Sequence, residues 1–147
     1  MKRNFSIILF SLVFVFGMIS SCNDDDDNSE TPSNCDQETI LSSDEFVSAA
    51  ADPLIIESLE IDDDCLQISF YASGCDGSTW DLKLIDSGAI LESDPPQRNL
   101  RLSLLNLELC DAVISKTISF DVSDLQVEGT QVYLNIVNSG DQILYTY

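Results

Sequence analysis

Cysteines, carboxylates and a few aromatics are the residues of this 147-residue chain that could do chemistry, and histidine is absent. Its absence removes the usual general base near neutral pH, the commonest transition-metal ligand and the central member of Ser-His-Asp or Cys-His catalysis. The cysteines are Cys22, Cys35, Cys65, Cys75 and Cys110. Apart from Cys22, which ends the apolar N-terminal segment, they form an even set suited to two disulfides in an oxidising compartment. Three pairings are possible. Cys75 and Cys110 both follow predicted strands, which favours joining them and leaves Cys35 to pin the N-terminal segment through Cys65. Against 26 acidic side chains stand 6 basic ones, for a formal charge of −20. No basic patch can form for nucleic acid to reward through counterion release.

Asp62-Asp63-Asp64, with Asp76 from another loop, are candidate calcium ligands, because hard cations take clustered carboxylate oxygens. No Asp-x-Asp-x-Asp-Gly loop with a distal Glu accompanies them, so a solvated turn is the simpler reading. Paired carboxylates for glycoside hydrolysis would need a substrate cleft. Neither an enzyme nor a bound cofactor is expected. Ser73-Gly74-Cys75-Asp76-Gly77-Ser78-Thr79-Trp80 is the densest stretch. As a binding loop it would use Trp80 and Tyr71 as aromatic anchors for a peptide or a sugar. As a disulfide-stapled turn, the favoured reading, it would pack Trp80 in the core and use its glycines for positive φ. Glu92-Ser93-Asp94-Pro95-Pro96-Gln97-Arg98 could present Arg98 to a partner as inhibitor loops do. It also fits an edge-protecting crossover, which is preferred.

These residues need a scaffold, and its pattern is a period of two. Leu66, Ile68 and Phe70 alternate with polar neighbours, as do Trp80, Leu82 and Leu84, and Leu100, Leu102 and Leu104. Ile114 to Phe120, Leu125 to Val127, Val132 to Ile136 and Ile143 to Tyr147 read as further strands, and Leu59 with Ile61 ends an earlier one. Turn signals separate them at Asp62 to Asp64, Ser73 to Gly77, Asp86-Ser87-Gly88, Asp94-Pro95-Pro96, Glu128-Gly129 and Asn138 to Asp141. Thr39 to Ala51 holds the only helix signal, a Ser42-x-x-Glu45 capping box stopped by Asp52-Pro53, with room for one or two turns. The expected body, residues 35–147, is an all-β, antiparallel sandwich of seven or eight short strands, most like an immunoglobulin domain.

Ahead of that body, Lys2 and Arg3 precede an apolar run from Ile7 to Phe16, the layout of a secretory signal peptide over residues 1–21. The run is too short to span a bilayer, which needs about 20 apolar residues. Ile19-Ser20-Ser21-Cys22 resembles a bacterial lipobox, in which the cysteine is acylated and becomes the first mature residue. Residues 22–34 contain Asp24 to Asp27 and no large apolar side chain, so they read as a disordered acidic tether. The lipobox and the acidic block behind it resemble the N-terminus of Bacteroidota surface lipoproteins. That resemblance implies a lipid anchor at Cys22 in the outer membrane and display on the cell exterior; a spacer on the periplasmic side is the alternative. With the first 34 residues set aside, the body carries 21 acids and 4 bases, or −17.

The sequence thus leads to the expectation of a non-catalytic envelope lipoprotein. It would touch the membrane through its N-terminal lipid and act as a binding or accessory module for a protein or glycan partner. A protease inhibitor and a carbohydrate-binding module are the alternatives.

Overall fold

A computed structural model describes residues 34–147. The signal peptide, Cys22 and the tether as far as residue 33 lie outside the described residues.

Two short strands, β1 (Gln37–Glu38) and β2 (Ile40–Leu41), precede the helix α1 (Ser43–Ser48). The capping box operates as expected: the Ser42 hydroxyl accepts the Glu45 N–H at 3.2 Å, and α1 ends after six residues. Then follow β3 (Ile55–Asp62), β4 (Cys65–Gly74), β5 (Asp81–Leu91) and β6 (Gln97–Leu105). The chain finishes with β7 (Ala112–Asp121), a 3-10 turn (Ser123–Leu125), β8 (Gln131–Ile136) and β9 (Asp141–Thr146).

One sheet has the order β1-β7-β4-β3 and the other β2-β5-β6-β8-β9. Both are mixed, because β1 runs parallel to β7, β2 to β5 and β6 to β8. The expectation of antiparallel sheets only is corrected here. The cause is connectivity. After β6 the chain reverses direction in β7, which lies in the opposite sheet, and reverses again into β8. β6 and β8 therefore run the same way when they pair. The described residues hold nine strands, two of them only two residues long.

Alternation then builds the core. Leu66, Ile68, Phe70 and Ala72 from β4 meet Leu82, Leu84, Leu100, Leu102, Leu104, Val132, Leu134 and Ile136 from the other sheet in one buried cluster. Two sheets closed over a common cluster make the body sandwich-like. Leu59, Ile61, Trp80 and Ile118 pack against it from partly buried positions.

Two local expectations fail. Leu125 to Val127 is no strand: Val122 and Leu125, three residues apart at 3-10 spacing, are both fully buried, and the Leu125 N–H bonds the Val122 carbonyl at 2.9 Å. Asp86-Ser87-Gly88 is no break either, because it lies inside β5 as a register shift between Asp86 and Ile90. The shift is held by Asp86, whose carboxylate accepts the Gly88 N–H at 2.6 Å, with Gly88 at φ 76°.

The two disulfides mark opposite ends of the body. Cys35 is bonded to Cys65 at the start of β4, and Cys75 to Cys110 just past its end. A ten-residue strand separates them by roughly 30 Å.

Candidate functional site

At the Cys75–Cys110 end, the loop between β4 and β5 meets the segment between β6 and β7. The disulfide brings their Cα atoms to 4.8 Å. Two residues before Cys110, Glu108 turns its carboxylate into the other loop. Its Oε2 accepts N–H groups from Cys75 at 2.6 Å, Asp76 at 3.3 Å and Gly77 at 3.0 Å. Its Oε1 accepts the Thr79 hydroxyl at 3.1 Å and the Thr79 N–H at 3.5 Å. Consecutive N–H groups converging on one anion form a nest. Desolvation pushes the Glu108 carboxyl upward, but the donors outweigh it and hold the pKa at about 2. Asn106 adds a third tie: its Nδ2 donates to the Ser73 carbonyl at 2.7 Å, and its backbone N–H donates to Asp52 at 2.7 Å.

Two glycines make this approach possible. A Cβ on Gly74 would lie 2.5 Å from the Glu108 carboxylate and 2.9 Å from the Trp80 ring. Gly77 has φ +69°, the left-handed region that favours glycine, and a Cβ there would meet the Lys116 stem at 2.6 Å.

Trp80 closes the loop as a packed wedge. Its ring lies 6.0 Å from that of Phe70, and the Lys116 ammonium sits 5.2 Å from its centroid while donating to the Gly77 carbonyl. The indole Nε1 is buried, with no hydrogen-bond partner among the described residues. A cleft of about 310 Å³ runs beside it, walled by Trp80, Leu82 and Ile118 and bordered by Asp36 and Lys116. Asp36 is tied to Ser119, whose hydroxyl at 2.7 Å and N–H at 2.8 Å lower its pKa.

The other sequence candidates do not assemble here. Tyr71 occupies an odd position of β4, on the opposite face from Phe70 and hence from Trp80. The pair cannot form one aromatic platform. Asp76 is exposed in this loop, where hydrogen bonds from Ser78 lower its pKa. Asp62, Asp63 and Asp64 lie at the other end of β4, roughly 30 Å away. There Asp64 accepts the Tyr145 hydroxyl and the Gln126 amide, and burial with the Asp64 contact raises the Tyr145 pKa. At that separation Asp76 cannot share a calcium ion with Asp62 to Asp64, and that joint reading is corrected. Among the described residues no three His, Cys, Asp or Glu side chains cluster to hold a metal ion.

Arg98 is corrected as well. It takes an inner position of β6, 6% exposed, with Nε 3.0 Å and Nη2 2.9 Å from the carboxylate of Asp86, which is fully buried. No inhibitor loop can present it. The other three cations of the described residues are also engaged. Lys83 pairs with Glu45 at 3.4 Å, Arg101 donates to the carbonyls of Phe46 at 2.7 Å and Ala49 at 2.8 Å, and Lys116 serves Gly77. In the sequence Glu108 is one acid among 26 and carries no mark of its own; the polar positions at 106 and 108 beside Cys110 are its only signal.

The class defined by this geometry is an all-β, sandwich-like domain with a disulfide at each end and a rigid pair of loops at one of them. No protein-family model and no curated protein matches the chain. Two solved structures share the fold. One is a protein of unknown function, DUF1344, from Bacteroides vulgatus, at 18% identity and TM-score 0.51, covering 76% of this chain and 56% of that one. The other, from Parabacteroides distasonis and described as a "Putative TOXIN related protein", has 19% identity and TM-score 0.52, covering 76% of this chain and 60% of that one. This chain therefore spans less than two thirds of either. Both sources are Bacteroidales.

Proposed function

We propose that the chain is a non-catalytic envelope lipoprotein, anchored through Cys22 and displayed outward, whose body is a binding or accessory module. The observation that carries this reading is the loop pair at the Cys75–Cys110 end. A disulfide, the Glu108 nest and the Asn106 ties hold its backbone in place. Loops positioned by a rigid sheet scaffold are where binding residues concentrate. Palmitate labelling lost in Cys22→Ala, together with loss of the body on protease shaving of whole cells, is the expected outcome. Label retained in the variant, or a body that stays protected on intact cells, would count against the anchor or the outward face.

Glycan binding has its own support, on a different surface from Trp80. On the outer face of β6, β8 and β9, the amides of Gln97, Asn99, Asn135 and Gln142 interlock at 2.6 to 3.4 Å beside Tyr133, and these positions carry no charge. Amides both donate and accept, as sugar hydroxyls require. Binding of a neutral oligosaccharide on a glycan array, lost in Tyr133→Ala and kept in Trp80→Ala, is the expected signature. An array with no hit removes this reading.

A further inference from the structure

The apolar phase of the chain switches within a few residues. Leu100, Leu102 and Leu104 point into the core, but the next leucines fall at 105, 107 and 109, the opposite parity. Beyond β6 the inward parity belongs to Asn106, Glu108 and Cys110, the three residues tied to the neighbouring loop. The leucines are consequently held outward: Leu105 is 40%, Leu107 74% and Leu109 96% exposed. Val113, 69% exposed, lies on the outer face of β7 in the other sheet, diagonal to Tyr71. A row of leucines kept in water by three separate ties exposes apolar area that a free loop would fold away.

Resting on the binding-module reading above, we infer that this leucine row is the docking element and that its occupant is a protein groove, apolar along its floor and rimmed by Lys and Arg. Two observations choose that occupant. The first is charge: the body carries −17, Asp76, Asp81 and Asp111 are exposed around the row, and all four cations of the body are engaged internally. An anionic lipid surface or a second copy of this chain would be repelled, and a basic rim attracted. The second is position. The 33 residues that precede the described body join it at Asn34, next to the Cys35–Cys65 disulfide, roughly 30 Å from the leucines. An anchor on that segment would attach the body at the end away from the leucines and leave the row clear of the attachment point.

The experiment uses the full chain in the cells that make it, with a photo-crosslinking residue at Leu107, Leu109 or, as the control, Val47 of α1, which is 80% exposed. The expected result is a heteromeric adduct from positions 107 and 109 and none from 47. Mass spectrometry should map the adduct to an apolar partner segment flanked by Lys or Arg. The Leu109→Ser substitution in a chain crosslinked from 107 should cut the yield about tenfold, the weight of one buried leucine. Because Leu109 makes almost no intramolecular contact, that variant should melt with the unsubstituted chain. A homomeric adduct, a lipid adduct, an acidic or wholly polar contact segment, or equal yields from 107 and 47 would each overturn the inference. Adducts from 47 alone would do so while leaving a binding role intact.

Discussion

Replacing Arg98 by Met keeps most of the side-chain volume and strands the Asp86 carboxylate. Asp86 is fully buried and Arg98 nearly so, and the guanidinium meets the carboxylate through two bonds at 3.0 and 2.9 Å. After Arg98→Met only the Gly88 N–H, at 2.6 Å, still serves the anion. Removing one partner of a buried pair costs about 3–5 kcal/mol. For a domain of this size about 1 kcal/mol moves the melting temperature by roughly 4 °C, so a fall of roughly 12–20 °C is expected with both disulfides intact. Asp86→Asn should lose as much, since it also weakens the register shift in β5. The double variant Asp86→Asn/Arg98→Met should fall well short of the summed losses, because neither charge is then left alone. Urea titration followed by fluorescence of Trp80, the only tryptophan, measures all three. An Arg98→Met variant within about 1 kcal/mol of the unsubstituted chain, or strict additivity in the double variant, would refute the argument that the pair is a closed unit of the core.

Glu108 gives an acid-side prediction. Its folded pKa of about 2 lies below the ordinary 4.5, so its stabilisation is present above pH 4.5 and lost as pH falls toward 2. Melting temperatures between pH 5 and 2 should decline less steeply in Glu108→Gln than in the unsubstituted chain; parallel declines would refute the nest. Gly74→Ala should destabilise by about 1–3 kcal/mol in denaturant titration, because the added methyl meets the Glu108 carboxylate and the indole together. Opening the 35-residue loop with Cys75→Ser/Cys110→Ser should cost about 3–4 kcal/mol by the chain-entropy argument, again read from the urea midpoint. Tyr145→Phe should flatten the loss of stability above pH 10, since the raised phenol pKa stabilises the fold below 10 and ceases to as pH climbs through it.

Much of the fold is legible residue by residue, because period-two alternation follows from strand geometry alone. Leu66, Ile68 and Phe70, or Val132, Leu134 and Ile136, share a face in any extended chain, and burial of that face follows from their apolarity. The Ser42 cap is likewise local, a side chain bonding an N–H three residues on. Strand order is different. Nothing within β6 or β8 records that the strand between them lies in the other sheet, so their parallel pairing stayed hidden.

The sequence by itself determined the all-β class, the short capped helix and the even set of four body cysteines, because each depends on local geometry or on counting. Only the tertiary structure decided that Arg98 is a buried partner of Asp86, that Glu108 fills a nest 31 residues upstream, and that Leu107 and Leu109 face outward. Those outcomes depend on which distant backbone lies opposite each residue. Alternation reports which side chains share a face, but only the packed neighbour decides whether that face meets core, loop or water.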